Sequence, residues 1–163
     1  MSLACKSCGS MLTEPRIIQA VPSDFLELKR FLGSFTGAGF EKHELAHMFL
    51  LRDSHNGQKI VGAAELFPCS DGSFYLCRVK VARHLRRQGI GQYLFEYAIG
   101  HAQKLGARDV YVVTRFRETA PAVRIVRKLG AIEISQAILQ KNVPRHMVDR
   151  YSSLQNRFWR FPL

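Results

Sequence analysis

Apolar positions recur along this chain with two different periods. Between Phe25 and Leu32 the spacing is three and four residues (Phe25, Leu28, Phe31, Leu32), which is one face of a helix; Ser23 or Asp24 is placed to cap it and Gly33 to end it. Ahead of it, Arg16-Ile-Ile-Gln-Ala-Val21 reads as a short strand. A Gly-rich turn, Gly37-Ala-Gly39, leads to a predicted helical piece around Glu41 to Ala46. Three strand-like runs follow: His47–Arg52, Lys59–Phe67 and Phe74–Ala82, the last two joined through Asp71-Gly72, a strong hairpin signal. The helical period then returns, with Leu94, Phe95, Ala98, Ile99 and Ala102 on one face of a helix from Ile90 to Leu105 that Gly106 closes. Asp109–Thr114 reads as a buried strand, Pro121–Leu129 as a helix opened by Pro and stopped by Gly130, and Ala131–Ser135 as the last clear strand. After Gln136 the pattern weakens: Pro144, a helix near Met147 to Leu154, and an aromatic end, Phe158-Trp159-Arg160-Phe161.

This order predicts a mixed α/β sheet (class α+β) with helices on its faces and at least one right-handed crossover. Residues 1–13 read as a loose N-terminal tail and 14–163 as a single domain, a division that suits a chain of 163 residues. With 47% hydrophobic and 23% charged residues the chain is not a disordered one, and 4 Cys are too few for a disulfide scaffold. No apolar run reaches the roughly 18 residues of a membrane helix, and Met1 to Ser10 lacks a signal pattern. A cytoplasmic address with reduced thiols is the expectation.

Charge changes the picture more. The net charge is +11, yet residues 1–77 hold 7 basic and 8 acidic residues while residues 78–163 hold 17 basic and 5 acidic. Such a gradient predicts an anionic partner for the C-terminal half. The segment best suited to an anion is Val79-Lys-Val81 followed by Arg86-Arg-Gln-Gly-Ile-Gly91. There a strand enters a glycine turn that opens a long helix, whose first N–H groups have no internal partner and lie at the positive end of the helix dipole. Arg83, Arg86 and Arg87 add charge. A P-loop is excluded because no Gly-Lys-Ser/Thr follows, and a dinucleotide fingerprint because a glycine and the first β-α turn are missing.

Arg86-x-x-Gly89-x-Gly91, five residues after Val79-x-Val81 and followed later by Lys128-Leu-Gly130, resembles the acyl-CoA signature of the GNAT superfamily of N-acyltransferases; the likeness covers Arg16 to about Ile134. The resemblance implies a mostly antiparallel sheet splayed in the middle, with acyl-CoA as co-substrate between the Phe74–Val81 and Asp109–Thr114 strands. It implies pantetheine pairing by the backbone of Val79 and Val81, with Lys80 between them. It implies a pyrophosphate held by the N–H groups of Arg87, Gln88, Gly89, Ile90 and Gly91 with Arg86 beside them, and an acyl carbonyl polarised near Val79.

The chain departs from the family pattern at the chemistry. Where many members carry a Glu six residues before the second valine stands Tyr75; the Tyr expected four residues before the closing glycine of the second helix is Val126, and the Asn seven residues further back is Thr119. A hairpin at Asp71-Gly72 offers a substitute. It would place Glu65 nearly opposite Tyr75, on the face shared by Cys77, Val79 and Val81, so that Glu65, alone or through Tyr75, takes the acceptor's proton. Cys77 has no identifiable activating base and reads as core.

Two other motifs carry less. His43-Glu-Leu-Ala-His47 matches a zinc-protease signature but runs from a Gly-rich turn into a strand, so no metal is assigned; the GNAT resemblance implies that this region borders the acceptor, within reach of His43 or His47. Cys5-x-x-Cys8 is half of a zinc site with no second pair. The aromatic C-terminus reads as a core plug or an interface, which leaves a homodimer open. The expected function is acetyl transfer from acetyl-CoA to a primary amine, a small molecule such as an amino acid, without a membrane partner. The alternatives are an acetyltransferase of a nucleic-acid-borne amine, and a degenerate, non-catalytic fold that binds CoA or RNA.

Overall fold

The computed structural model describes residues 3–4, 11–12, 16–33, 47–53, 58–115, 120–144, 147 and 156–163. Near the N-terminus, β1 (Leu3–Ala4) pairs antiparallel with β2 (Met11–Leu12), so the stretch read as a tail contains a short hairpin. Two compact units emerge: Met1–Glu65 with Arg78–Tyr97, and Leu66–Cys77 with Ala98–Leu163. A seven-stranded, mostly antiparallel sheet takes strands from both. Its order is β3 (Ile17–Gln19), β4 (Met48–Arg52), β5 (Ile60–Pro68), β6 (Phe74–Val81), β7 (Asp109–Arg115), β9 (Asn156–Pro162) and β8 (Ile132–Ile134). Among the described residues no helix is long and apolar enough to cross a membrane.

In the first unit, α1 (Phe25–Leu32) lays the predicted stripe on the sheet: Leu28 and Leu32 pack with Ala20, Met48, Leu50, Ile60 and Ala63, and Phe25 and Phe31 lie against that cluster. The start of α1 is tied down by charge. Arg52 donates to Asp24 at 2.7 Å and to Glu27 at 2.8 Å, while Glu27 also accepts the Ile60 N–H at 2.9 Å. Two residues further along β5, Gly62 faces α2 (Ile90–Lys104). A Cβ placed there would lie 3.1 Å from Leu94 Cδ1 and 3.2 Å from Leu51 Cβ, so glycine is what lets the helix approach the strand.

In the second unit, β7 runs parallel to β6, with Phe74, Tyr75 and Leu76 against Val110, Tyr111 and Val112. The C-terminal strand β9 inserts between β7 and β8, antiparallel to both. The sequence pattern concealed this strand because Phe158 and Trp159 are adjacent and both buried, which breaks the period of two. The aromatic end is thus a core plug. Trp159 Nε1 donates to Thr114 Oγ1 at 2.8 Å, and Arg157, forked onto Glu133 at 2.7 Å, lies 5.3 Å from the Trp159 ring centre. A short helix, α4 (Gln136–Asn142), covers a cluster of Tyr75, Tyr111, Leu139, Val143, Met147 and Phe158, and Asn142 donates to the Tyr111 hydroxyl at 2.9 Å. The helical piece expected around Glu41 to Ala46 lies outside the described residues, as does all of the one near Met147 to Leu154 except Met147.

Replacing Gly62 with Val would force the contacts with Leu94 and Leu51 apart. The expected outcome is a loss of about 1–3 kcal/mol, the usual cost of overpacking, read as a lower urea midpoint with an unchanged slope.

Candidate functional site

The site is built where β6 ends and α2 begins. Ala82 N–H donates to Val61 O at 2.8 Å and closes the strand. A single helical turn, Arg83–Leu85, follows, anchored by the buried Leu85. Arg86 is extended, and its Nε donates to Val81 O at 3.2 Å. Arg87 and Gly89 then take φ values of 64° and 83°. Gly89 adopts that conformation freely, whereas Arg87 holds it at a steric cost that concentrates at functional turns. The first helical bond of α2 runs from Tyr93 N–H to Gly89 O at 3.0 Å, so Ile90 and Gly91 present N–H groups that have no carbonyl one turn back. The Ile90 side chain is buried, leaving its backbone as the part that can meet a ligand. Arg83, Arg86 and Arg87 are exposed and Gln88 is half-buried. The structure therefore brings Val79, Lys80, Val81 and residues 86–91 together in one unit, along one strand end and one turn.

Behind that turn the strand is irregular. Cys69 N–H donates to Ser73 O, and Ala82 N–H to Val61 O. From Val61 to Cys69 the chain advances eight residues, but from Ser73 to Ala82 it advances nine, so β6 carries one residue more than β5. An extra residue of this kind is a β-bulge, a feature common beside active sites.

The hairpin bond also decides the register at the turn. It sets Phe67, not Glu65, opposite Tyr75, and Phe67 and Tyr75 share the cluster beneath α4. The predicted facing of Glu65 and Tyr75 is therefore corrected: a chain that turns at Asp71-Gly72 and closes from Cys69 to Ser73 sets Tyr75 against Phe67 and carries Glu65 two residues further along β6, near Cys77. Glu65 instead lies across from Met48 on β4 and forms a buried ion pair with the Arg78 guanidinium on β6. Both are shut from solvent, at 1% and 4% exposure. Arg78 escaped the sequence reading. Its signal was a second cation two residues before Lys80 in an otherwise apolar strand. Lys80 reaches α1, donating to Leu32 O at 2.8 Å with its ammonium 5.5 Å from the Phe31 ring centre. Burial pushes the Lys80 ammonium down from its ordinary value, and the Arg86 charge adds to that.

Other candidates are less active. Burial, helped by Asp71, pushes the Cys69 thiol up to about 12, so it is no nucleophile; Cys77 is half-buried. His47 precedes β4, and burial lowers its pKa. His43, Cys5, Cys8 and Thr119 lie outside the described residues. Among the described residues no group of three or more His, Cys, Asp or Glu side chains could hold a metal ion.

A family model, the acetyltransferase (GNAT) family, matches residues 15–131. The chain belongs to the GNAT acetyltransferase family. Its fold is similar to that of a GNAT-family acetyltransferase from Staphylococcus aureus Mu50, with a TM-score of 0.73 and 21% identity over 92% of this chain and 99% of that one. It is similar to N-acetylglutamate synthase from Neisseria gonorrhoeae, solved with coenzyme A and N-acetylglutamate (TM-score 0.74, 13% identity, 93% of this chain but 35% of that one). Rv2747 from Mycobacterium tuberculosis, solved with CoA and a second ligand, gives a TM-score of 0.72 at 16% identity over 91% of this chain and 99% of that one. At such identities the likeness carries the fold. No curated protein matches the chain in sequence.

In this GNAT chain the turn depends on the positive φ at position 89. Gly89→Val should cost about 1–3 kcal/mol of backbone strain and loosen the turn. The expected result is a lower melting midpoint and, in a titration of the folded variant, weaker CoA binding than in the unmodified protein.

Proposed function

We propose that the protein transfers an acetyl group from acetyl-CoA to a primary amine of a small molecule such as an amino acid. The observation that carries this reading is the turn before α2, where left-handed backbone at Arg87 and Gly89 opens a helix N-terminus among exposed arginines. An anion of several charges suits it, since the N–H groups at the start of the helix, the helix dipole and guanidinium groups act in the same direction. The N–H groups of residues 87–91, with Arg86 and Arg87, would hold the pyrophosphate. The backbone of Val79 and Val81 would pair with the pantetheine arm, and Lys80 would leave it clear by pointing to α1.

Acetyl-CoA supplies an activated thioester. The acceptor must first lose its ammonium proton, because only the neutral amine has a lone pair. Its nitrogen then bonds to the acyl carbon, the carbon–sulfur bond breaks with its electron pair on sulfur, and the second proton that the nitrogen gives up as the amide forms is taken by the thiolate. A backbone N–H near Val79 would stabilise the charge that builds on the acyl oxygen, as fixed dipoles do in oxyanion holes. Glu65 is committed to Arg78, and Tyr75 belongs to the core beneath α4. The acceptor's proton is therefore assigned to water.

A second reading has its own observation. The outer face of α3 (Pro121–Lys128) exposes Arg124, Arg127 and Lys128 at helical spacing, with no acidic residue on the helix. That stripe suits the phosphates of a nucleic-acid-borne amine.

Two measurements separate these readings. Acetyl-CoA and CoA, but not ATP, should raise the melting midpoint. At 100 times its dissociation constant a ligand adds about 2.7 kcal/mol, a shift of several degrees at this size. Release of free CoA thiol with amino acids should follow, and the absence of a CoA-specific shift would overturn the acyltransferase reading. For the second reading, affinity for single-stranded RNA should fall with salt by roughly 0.7 log units per log of salt for each phosphate contact, and less steeply in Arg124→Gln/Lys128→Gln.

A further inference from the structure

We propose that Glu65, Arg78 and Lys80 are positioning residues that hold the backbone of Val79 in place from one side of β6, a role that rests on the acyl-transfer reading above. Three observations converge. First, β6 carries one residue more than β5 between their terminal hydrogen bonds, so the ladder between them is interrupted at one point. Second, the described pairing with β7 stops at Leu76, short of Val79. Third, the residues on either side of Val79 are each tethered by a charged side chain, Arg78 to Glu65 on β5 and Lys80 to Leu32 O at the end of α1. The Lys80 tether has a direct electrostatic reason, because the last carbonyls of a helix carry the negative end of its dipole. With side chains alternating, Arg78 and Lys80 point one way and Val79 the other. The peptide groups of Val79 are thus fixed between two anchors.

The buried Glu65–Arg78 pair fits such a task better than it fits proton transfer. A pair shut from water contributes little net stability, because desolvation offsets most of the attraction, but it is costly to break from one side. Protonating Glu65 would leave the Arg78 guanidinium buried without its counter-charge. Glu65 is therefore poorly placed to act as the base, and well placed to hold Arg78.

The test uses the full chain with acetyl-CoA and an amine that the unmodified protein acetylates. Glu65→Gln and Arg78→Met should each lower kcat by about ten- to a hundredfold, the usual effect of small misplacement, with acetyl-CoA affinity unchanged. The kcat/KM profile against pH should keep its shape in both variants. Combined, the two substitutions should be no worse than the worse one alone, because both break one tether. Arg78→Lys should recover part of kcat. Lys80→Met, which leaves the buried pair intact, should lower kcat in the same manner. Amide hydrogen exchange over residues 75–81 should quicken in each folded variant, a readout that needs no turnover. Loss of the acid limb of the pH profile in Glu65→Gln alone would overturn the proposal and make Glu65 the base. Unchanged kcat and exchange in Lys80→Met would overturn it as well. If the unmodified protein binds CoA and acetylates no amine, the acyl-transfer reading fails with it, and the exchange data show whether the tethers hold the strand.

Discussion

The first turn of α2 rests on Gly62 so closely that a methyl group there would press on Leu94 and Leu51. Much of the candidate site depends on that contact. Ile90 buries its side chain beside Gly62, which fixes where the helix starts and therefore where its free N–H groups lie. The turn from Arg86 to Gly89 has to join a strand to a helix at that fixed spacing. It does so with two left-handed residues, one of them an arginine. Steric fit at one glycine, polar groups at the helix start and positive charge in the turn are thus one arrangement.

Charge is used in three different ways in this GNAT protein. At the turn, Arg83, Arg86 and Arg87 are exposed, where their field reaches an approaching anion. At the start of α1, Arg52 bridges Asp24 and Glu27 and ties the helix to the strands below it. Inside, Arg78 and Glu65 meet out of reach of water. The same side-chain type therefore stands at an exposed turn, across the start of a helix and inside the protein, and what separates the three is burial. Counting basic residues predicts only the first.

The second unit shows a related division of labour. Its apolar residues from β6, β7 and β9 meet under α4, while the cations of β9 flank its aromatics and pair locally, as Arg157 does with Glu133. Part of the surplus of basic residues after position 78 is thus consumed by the fold. On α3 the cations Arg124, Arg127 and Lys128 are exposed, and Arg127 lies 5.6 Å from the ring centre of the buried Trp159.

Among the described residues, the helices between Arg16 and Ile134 were legible because their apolar residues keep one period, and the strands because short apolar runs are bounded by glycine, proline or turn residues. The turn before α2 was legible for the same reason, since Gly89 and Gly91 have few local alternatives. The partners of Glu65 and the place of β9 were not legible. Register across a hairpin depends on which residues close the turn: Cys69 and Ser73 set Tyr75 against Phe67, and the one extra residue in β6 then brings Arg78 to Glu65. Strand β9 reads ambiguously, because both of its faces are covered and its arginines disguise the burial. Local pattern is set by backbone sterics and by which side of an element is buried, and a sequence carries both. Which distant groups meet depends on loop closure and on the extra residue in β6, and these take effect only once the chain has folded.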